Sequence, residues 1–346
     1  MSATVRDVAR KAGVSASTVS RVLSGVSPVR DETRARVLEA VSALRYKYRP
    51  VRSNKDAANI SPWVEKESIG ILLPRSSGND FPGHPTIYSI ITAFVDELRN
   101  AGIGNSILLI DPDHLDHVET LFTPRYNGYL MIGTSAGEED KLIPYMISHG
   151  IHHVIVNRWM NEKYMNYVNI DDVTASEEAV SYLVSLGHQR IVFIGGDCKL
   201  RNTSLRLIGY RKAMDDAGLT VPDEWIMTGE YSEEYGYKVA DKLLALSPVP
   251  TAAFFCSDMI AIGFQRRCQE LGVRLPEQLS MIGYGNVSLS SYMRPALTTV
   301  EIPVEAMGRQ SALALLNLIR TPSVARVQIL LRAPLLLRQS CCELVK

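Results

Sequence analysis

Four small hydroxyl side chains and one arginine crowd into "VSASTVSRVL": Ser15, Ser17, Thr18, Ser20 and Arg21. Serine and threonine are middling helix formers, because their hydroxyls compete for nearby backbone groups. A helix that carries several of them presents short hydrogen-bonding groups able to approach a partner closely. At a helix N-terminus such groups suit phosphate oxygens. Arg21 is the one long side chain among them, and its fork matches O6 and N7 of guanine. A second set of polar residues follows short apolar runs: Asn157 after "HHVIV", Asp197 after "RIVFIGG", Ser257 and Asp258 after "TAAFFC", and Asn286 after "LSMIGYG". If those runs are parallel strands, these residues stand at carboxyl ends, where α/β sheets bind ligands. Asp258 also reads as the cap of a helix over 259–271.

The elements that must position the first set are short helices. "VRDVARKA" (5–12) puts Val5, Val8, Ala9 and Ala12 on one face, with Thr4 and Asp7 forming a capping-box-like pair. Gly13 ends it and Ser15 caps the next helix, which turns Val19, Val22 and Leu23 inward. Asp31 opens a third, with Val37, Leu38, Val41 and Leu44 as its apolar face. Together they form a helix-turn-helix pattern. Residues 46–67 are polar, contain two prolines and read as a linker. Beyond it, apolar runs at 68–74, 106–110, 128–132, 152–156, 190–196, 251–256 and 279–284 alternate with helical stretches at 86–100, 174–186, 205–217, 233–246, 259–271 and 304–320. That alternation predicts an α/β core of two similar parallel-sheet subdomains.

The formal net charge of zero hides an asymmetry. Residues 1–52 hold eleven Lys/Arg against four Asp/Glu, so a front module of +7 precedes a remainder of −7. A polyanion partner for the front module alone follows. No apolar run is long enough to span a bilayer and the N-terminus has no apolar signal core, so a cytoplasmic location without membrane contact is expected. The five cysteines have no metal-ligand spacing and read as free thiols. His84, His152 and His153 read as turn or surface residues. Neither a metal nor a cofactor is expected. No G-x-S-x-G, P-loop or G-x-G-x-x-G appears, so an enzyme is not expected. The remaining alternative, a solute-binding protein without a DNA role, conflicts with the basic front module and the missing secretion signal.

"TVRDVARKAGVSASTVSRVLSG…VRDETRARVLEAVSALRY" resembles the DNA-binding head of the LacI/GalR family of transcriptional regulators. "LGHQRIVFIGG", "RLIGYRKAM", "SDMIAIGFQRRCQELGVRLPEQLSMIGY" and "PALTTVEIP" extend the resemblance along almost the whole chain. It implies a three-helix head at 1–46, a hinge at 47–67 and a periplasmic-binding-protein-like core of two doubly wound subdomains at 68–340. The first subdomain would take about 68–157 and 298–322, the second about 158–297 and 323–340. A homodimer bound to a near-palindromic operator is implied, as a repressor of a carbohydrate-utilisation operon with a small sugar in the core cleft. Carried over by position, Ala16, Ser17 and Arg21 match base-reading residues, and Thr4, Ser15, Thr18, Ser20, Arg30 and Thr33 match backbone-contacting ones. Arg206 in "RLIGY" matches the family's ligand-binding arginine, and Tyr231 a ligand-stacking aromatic. Tyr88 lies near another cleft wall, with Asn157, Ser257, Asp258 and Asn286 completing the effector set.

Two departures stand out. Where many members carry Asp-Asp after "GY", this chain has Gly285–Asn286, and an amide can both accept and donate. The hinge lacks the usual wedging leucine, the place near Lys55 being polar, so an irregular basic arm or Ile60 would serve. The short span between "SIGILLP" and "SILLI" and the "LRYK" that closes the head resemble the β-galactosidase-repressor branch, which implies a galactoside as effector.

Overall fold

The structure, a computed structural model, describes residues 4–24, 31–44, 67–74, 85–110, 118–132, 142–157, 165–321 and 326–344. Arg30 and His84, and the hinge with Lys55 and Ile60, lie outside the described residues, as do the side chains of Ser20, Arg21 and Leu23. The chain divides into two compact units, residues 1–65 and 66–346.

The first unit holds α1 (Val5–Ala12), α2 (Ala16–Ser24) and α3 (Asp31–Ala43). Thr4 caps α1 in a full capping box: its N–H and hydroxyl both donate to Asp7 Oδ2, at 2.9 and 2.6 Å, and the Asp7 N–H donates back to Thr4 Oγ1. Gly13, left-handed at φ 65°, closes α1 and allows the sharp turn into α2. Val8, Ala9, Ala12, Val19, Val22, Val37 and Ala40 form the core of this unit. Leu38 was expected inside and is half exposed; Ala40 takes the buried place instead. Residues 33, 37, 40, 41 and 44 keep the three-and-four spacing of one helix face, and residue 38 falls a step off it.

Among its described residues, the second unit contains two six-stranded sheets. The first is built from β1 (Ser68–Pro74), β2 (Gly104–Ile110), β3 (Gly128–Ile132), β4 (His153–Val156), β5 (Tyr167–Ile170) and β11 (Gln328–Leu331), in the order β2-β1-β3-β4-β5-β11 and parallel throughout. The second uses β6 (Ile191–Gly195), β7 (Ile226–Thr228), β8 (Ala252–Phe255), β9 (Ser280–Tyr284), β10 (Thr298–Val300) and β12 (Leu335–Leu336), in the order β7-β6-β8-β9-β10-β12, with β12 alone antiparallel. Strands β3, β4, β6, β8 and β9 are buried at every residue, which is why they read as unbroken apolar runs. Edge strand β2 alternates between half-buried and exposed residues.

The helices are α4 (Pro85–Asn100), α5 (Leu142–Ser148), α6 (Asp172–Ser185), α7 (Arg201–Asp216), α8 (Glu233–Leu244), α9 (Asp258–Glu270) and α10 (Val304–Arg320). They pack in pairs, α4 with α10, α6 with α7 and α8 with α9.

The expected subdomain boundaries need correction. Residues 167–170 and 328–331 pair in the first sheet, and 298–300 in the second. The chain therefore crosses at about 171, 301–303 and 332–334, not at 157–158, 297–298 and 322–323. Strands β5, β10, β11 and β12 have two to four residues each, too short to show a period in sequence. Each crossover leaves the carboxyl end of a strand (β5, β10 or β11), so the carboxyl ends of both sheets turn toward the junction. Backbone bonds tie the crossovers together: Asp171 N–H to Leu331 O at 3.1 Å and Glu301 N–H to Pro334 O at 2.8 Å.

Candidate functional site

In the first unit, α2 carries the expected hydroxyls at its start. Ser15 caps it, its Oγ accepting from the Thr18 N–H at 3.1 Å. The same Oγ lies 2.7 Å from Ser17 Oγ and 2.8 Å from Thr18 Oγ1, a linked trio of hydroxyls on the first turn. Ser15, Ala16 and Ser17 are exposed, while Val19 and Val22 anchor the opposite face. Thr33 is half-buried on α3, and the Thr4 side chain is engaged in its cap. An exposed helix start with short polar groups and no large side chain can approach a groove or phosphate closely.

In the second unit, the carboxyl end of the second sheet gathers a buried polar cluster around Arg206. This arginine sits in the second turn of α7, not at its start, because α7 begins at Arg201. Its N-cap, Leu200, makes no side-chain cap bond and so gave no sequence signal. Arg206 Nε donates to Asp172 Oδ1 at 2.8 Å, and Nη1 donates to the Cys256 carbonyl at 2.6 Å. The Tyr284 hydroxyl donates to the same Asp172 oxygen at 2.8 Å, and the Tyr284 ring lies 3.7 Å from the guanidinium carbon. Burial alone would favour a neutral Arg206, but the Asp172 carboxylate opposes this and holds the guanidinium more firmly charged than usual. Burial and the same carboxylate push the Tyr284 phenol well up. The Asp171–Asp172 pair divides its labour: Asp171 caps α6 through Thr174, and Asp172 turns inward to the arginine. Asp172 Oδ2 is buried and has no hydrogen-bond partner among the described residues.

Tyr231 lies beside this cluster, its hydroxyl 2.8 Å from Thr203 Oγ1 and its titration raised by burial. Its ring occupies the space over Gly196, where a Cβ would come within 1.9 Å of it. The Cys256 thiol is fully buried and pushed up to about 12 by burial. The sequence reading singles out Arg206 and Tyr231, which the structure places beside one another, but not Asp172, Thr203 and Tyr284 that surround them. The only available signals were a doubled aspartate at a helix start and a tyrosine closing an apolar run.

The other expected residues divide. Ser257, not Asp258, caps α9, its Oγ accepting from the Met259 N–H at 3.2 Å. Asp258 is the first residue of the helix, fully buried, with Oδ1 accepting from Thr299 Oγ1 at 2.6 Å and Oδ2 from the Val287 N–H at 2.9 Å. Both carboxylate oxygens thus serve the protein. Asn286 (φ 51°) follows β9 and bonds to Glu301 and Arg338. Asn157 (φ 56°) follows β4, and Tyr88 is exposed in the first turn of α4; both belong to the first sheet's carboxyl end. His153 is buried rather than on the surface: it opens β4 and its Nδ1 lies 2.7 Å from the Ile151 carbonyl. All five cysteines are free. Among the described residues, no group of three or more His, Cys, Asp or Glu could hold a metal ion, and no helix is long and apolar enough to cross a membrane.

Comparison with known proteins accounts for both units. Residues 4–48 match the family described as "Bacterial regulatory proteins, lacI family", and residues 180–341 match a "Periplasmic binding protein-like domain". The HTH-type transcriptional repressor CytR of Escherichia coli (strain K12) is 32% identical over 348 residues, 98% of this chain and 96% of that protein. The ribose operon repressor of Haemophilus influenzae is 30% identical, covering 99% of each chain. A solved transcriptional regulator CelR–cellobiose complex superposes with a TM-score of 0.72 at 25% identity, over 98% of this chain and 99% of that one. The chain therefore belongs to the LacI family of bacterial regulatory proteins and is a DNA-binding transcriptional repressor rather than an enzyme.

Proposed function

We propose that the protein binds a near-palindromic operator as a homodimer, and that a small neutral sugar held against Arg206 and Tyr231 alters that affinity. Arg21 reads guanine from α2, Ala16 and Ser17 allow the helix close to the base edges, and Thr4, Ser15, Thr18, Ser20, Arg30 and Thr33 meet phosphates. Asn157 and Tyr88 face the sugar from the first sheet's end. The observation that carries the effector reading is the buried Arg206–Asp172 pair beside Tyr231. The guanidinium charge there is balanced by the Asp172 carboxylate, so the cluster offers directional hydrogen bonds without net charge. That suits hydroxyls better than an anion, and the tyrosine ring suits the face of a pyranose or furanose. The printed descriptions of two relatives point the same way, one a ribose operon repressor and the other a complex with cellobiose. Within the sugars, a galactoside is the narrower reading, supported by the short span between the first two strands.

Thermal unfolding of the full chain with methyl β-D-galactopyranoside, D-ribose and cellobiose tests this. A sugar at about one hundred times its Kd stabilises the fold by about 2.7 kcal/mol. A rise in Tm with the galactoside alone supports the narrower reading. No rise with any of the three at 50-fold over a millimolar Kd, about 50 mM, removes the sugar reading. Selection from a random duplex pool tests the operator; enrichment of no sequence removes that part.

A further inference from the structure

Asn286 was expected to contact the effector, yet both ends of its amide are engaged elsewhere. Its Oδ1 accepts from Arg338 Nη2 at 2.5 Å, and its Nδ2 donates to Glu301 Oε1 at 3.0 Å. The orientation of the amide follows from its partners, because a guanidinium can only donate and a carboxylate only accept. Glu301 lies in the second crossover, immediately after β10, and Arg338 follows β12, beyond the third crossover. Arg338 is itself held by donating to the Leu297 carbonyl at 2.8 Å and to Ser290 Oγ at 3.0 Å. Asn286 stands two residues after Tyr284, which covers Arg206, and the intervening Gly285 N–H donates to the Val300 carbonyl at 2.8 Å. One side chain thus links the loop behind Tyr284, and Arg338 after β12, to the second of the segments that join the two subdomains.

We propose that Asn286 is a positioning residue that clamps the second crossover and so sets how readily the two subdomains move relative to one another. An amide is required because the clamp must accept from a cation and donate to an anion at once. A carboxylate at this position keeps the bond from Arg338 but turns like charge toward Glu301, with the buried Asp258 carboxylate nearby. The left-handed backbone at 286 is as acceptable to aspartate as to asparagine, so Asn286→Asp changes the side-chain chemistry with little backbone penalty.

Hydrogen exchange on the full chain tests the clamp without effector or operator, so its outcome is independent of whether the pocket takes a sugar. Asn286→Asp is expected to speed exchange about tenfold in peptides covering residues 299–305 and 331–337, with amides of β6 and β8 unchanged. Glu301→Ala opens the clamp from the other side and is expected to do the same, which keeps the test decisive if Asn286→Asp folds poorly. Adding Glu301→Gln to Asn286→Asp should restore the wild-type rates, because a glutamine amide can donate to the new carboxylate. Wild-type rates in both single variants, failure of the double variant to recover, or acceleration spread evenly through both sheets would each overturn the proposal.

Discussion

Arg206 and Asp172 form a buried ion pair, and the carboxylate holds the Arg206 guanidinium firmly charged despite its burial. Removing one partner of such a pair strands the remaining charge and costs about 3–5 kcal/mol, whereas replacing both by apolar or neutral groups is far milder. Arg206→Ala alone should therefore lower the urea midpoint strongly, and the double variant Arg206→Met/Asp172→Asn should recover much of it. Both should lose any Tm response to sugar. A stable Arg206→Ala chain that still responds would relocate the pocket. Arg21 belongs to the same scale with the opposite stability signature. Its replacement by alanine should cost about 1–3 kcal/mol of discrimination at one base pair while leaving salt-dependent binding to arbitrary duplex largely intact. Fluorescence anisotropy with the selected operator and a scrambled duplex measures that difference; equal losses on both sequences would mean that Arg21 contacts phosphate.

At the scale of elements, helix pairs held at short range decide how the second subdomain is built. Where α8 and α9 cross, a Cβ on Gly263 would come within 1.9 Å of the Glu233 carbonyl oxygen. That oxygen is backbone and cannot swing aside, so Gly263→Ala must push the helices apart. Overpacking of this kind costs about 1–3 kcal/mol, and the expected result is a lower unfolding midpoint with little change in the first unit's melting. Nothing in "IAIGFQ" marks this requirement, because the need for close approach comes from a helix two elements earlier in the chain. Local elements were easier to read. Every long helix of the core was legible from its period, and the capping box of α1 from residues three apart. The short strands β5, β10, β11 and β12 were not, and with them went the subdomain boundaries.

At the scale of the whole second unit, buried histidines couple its stability to pH. His188 Nε2 lies 3.1 Å from the Cys342 carbonyl, which only accepts, so this nitrogen donates; Nδ1, 3.1 Å from Thr251 Oγ1, then accepts in the neutral ring. This joins the C-terminal segment to the second sheet. Burial lowers the titration of both His188 and His153 below the ordinary histidine value. The unfolded chain, with histidines near about 6.5, takes up protons first. Their contribution is therefore fully present above that value and lost as pH falls through the lower folded-state values. Urea midpoints measured from pH 8 to pH 5 should fall below about 6.5, and the fall should shrink in His188→Gln. A midpoint that rises as the solution is acidified through this range would contradict the assignment.

What the sequence settled by itself was local: three amphipathic helices with their caps, a basic front segment, and apolar runs alternating with helices. Each is written in residues a turn or a strand apart, where period and capping chemistry act directly. The resemblance then singles out Arg206 and Tyr231, and the structure brings those two together. Only tertiary structure could decide the rest. Asp172 meets Arg206 across 34 residues and Tyr284 across 112, and no short-range pattern encodes a partner at that distance. The same holds for Asp258, engaged by Thr299, and for Asn286, bonded to Glu301 in the second crossover and to Arg338 beyond β12. Each has the residue type expected of a ligand contact, and its role is fixed by which distant donors and acceptors the folded sheets bring within reach.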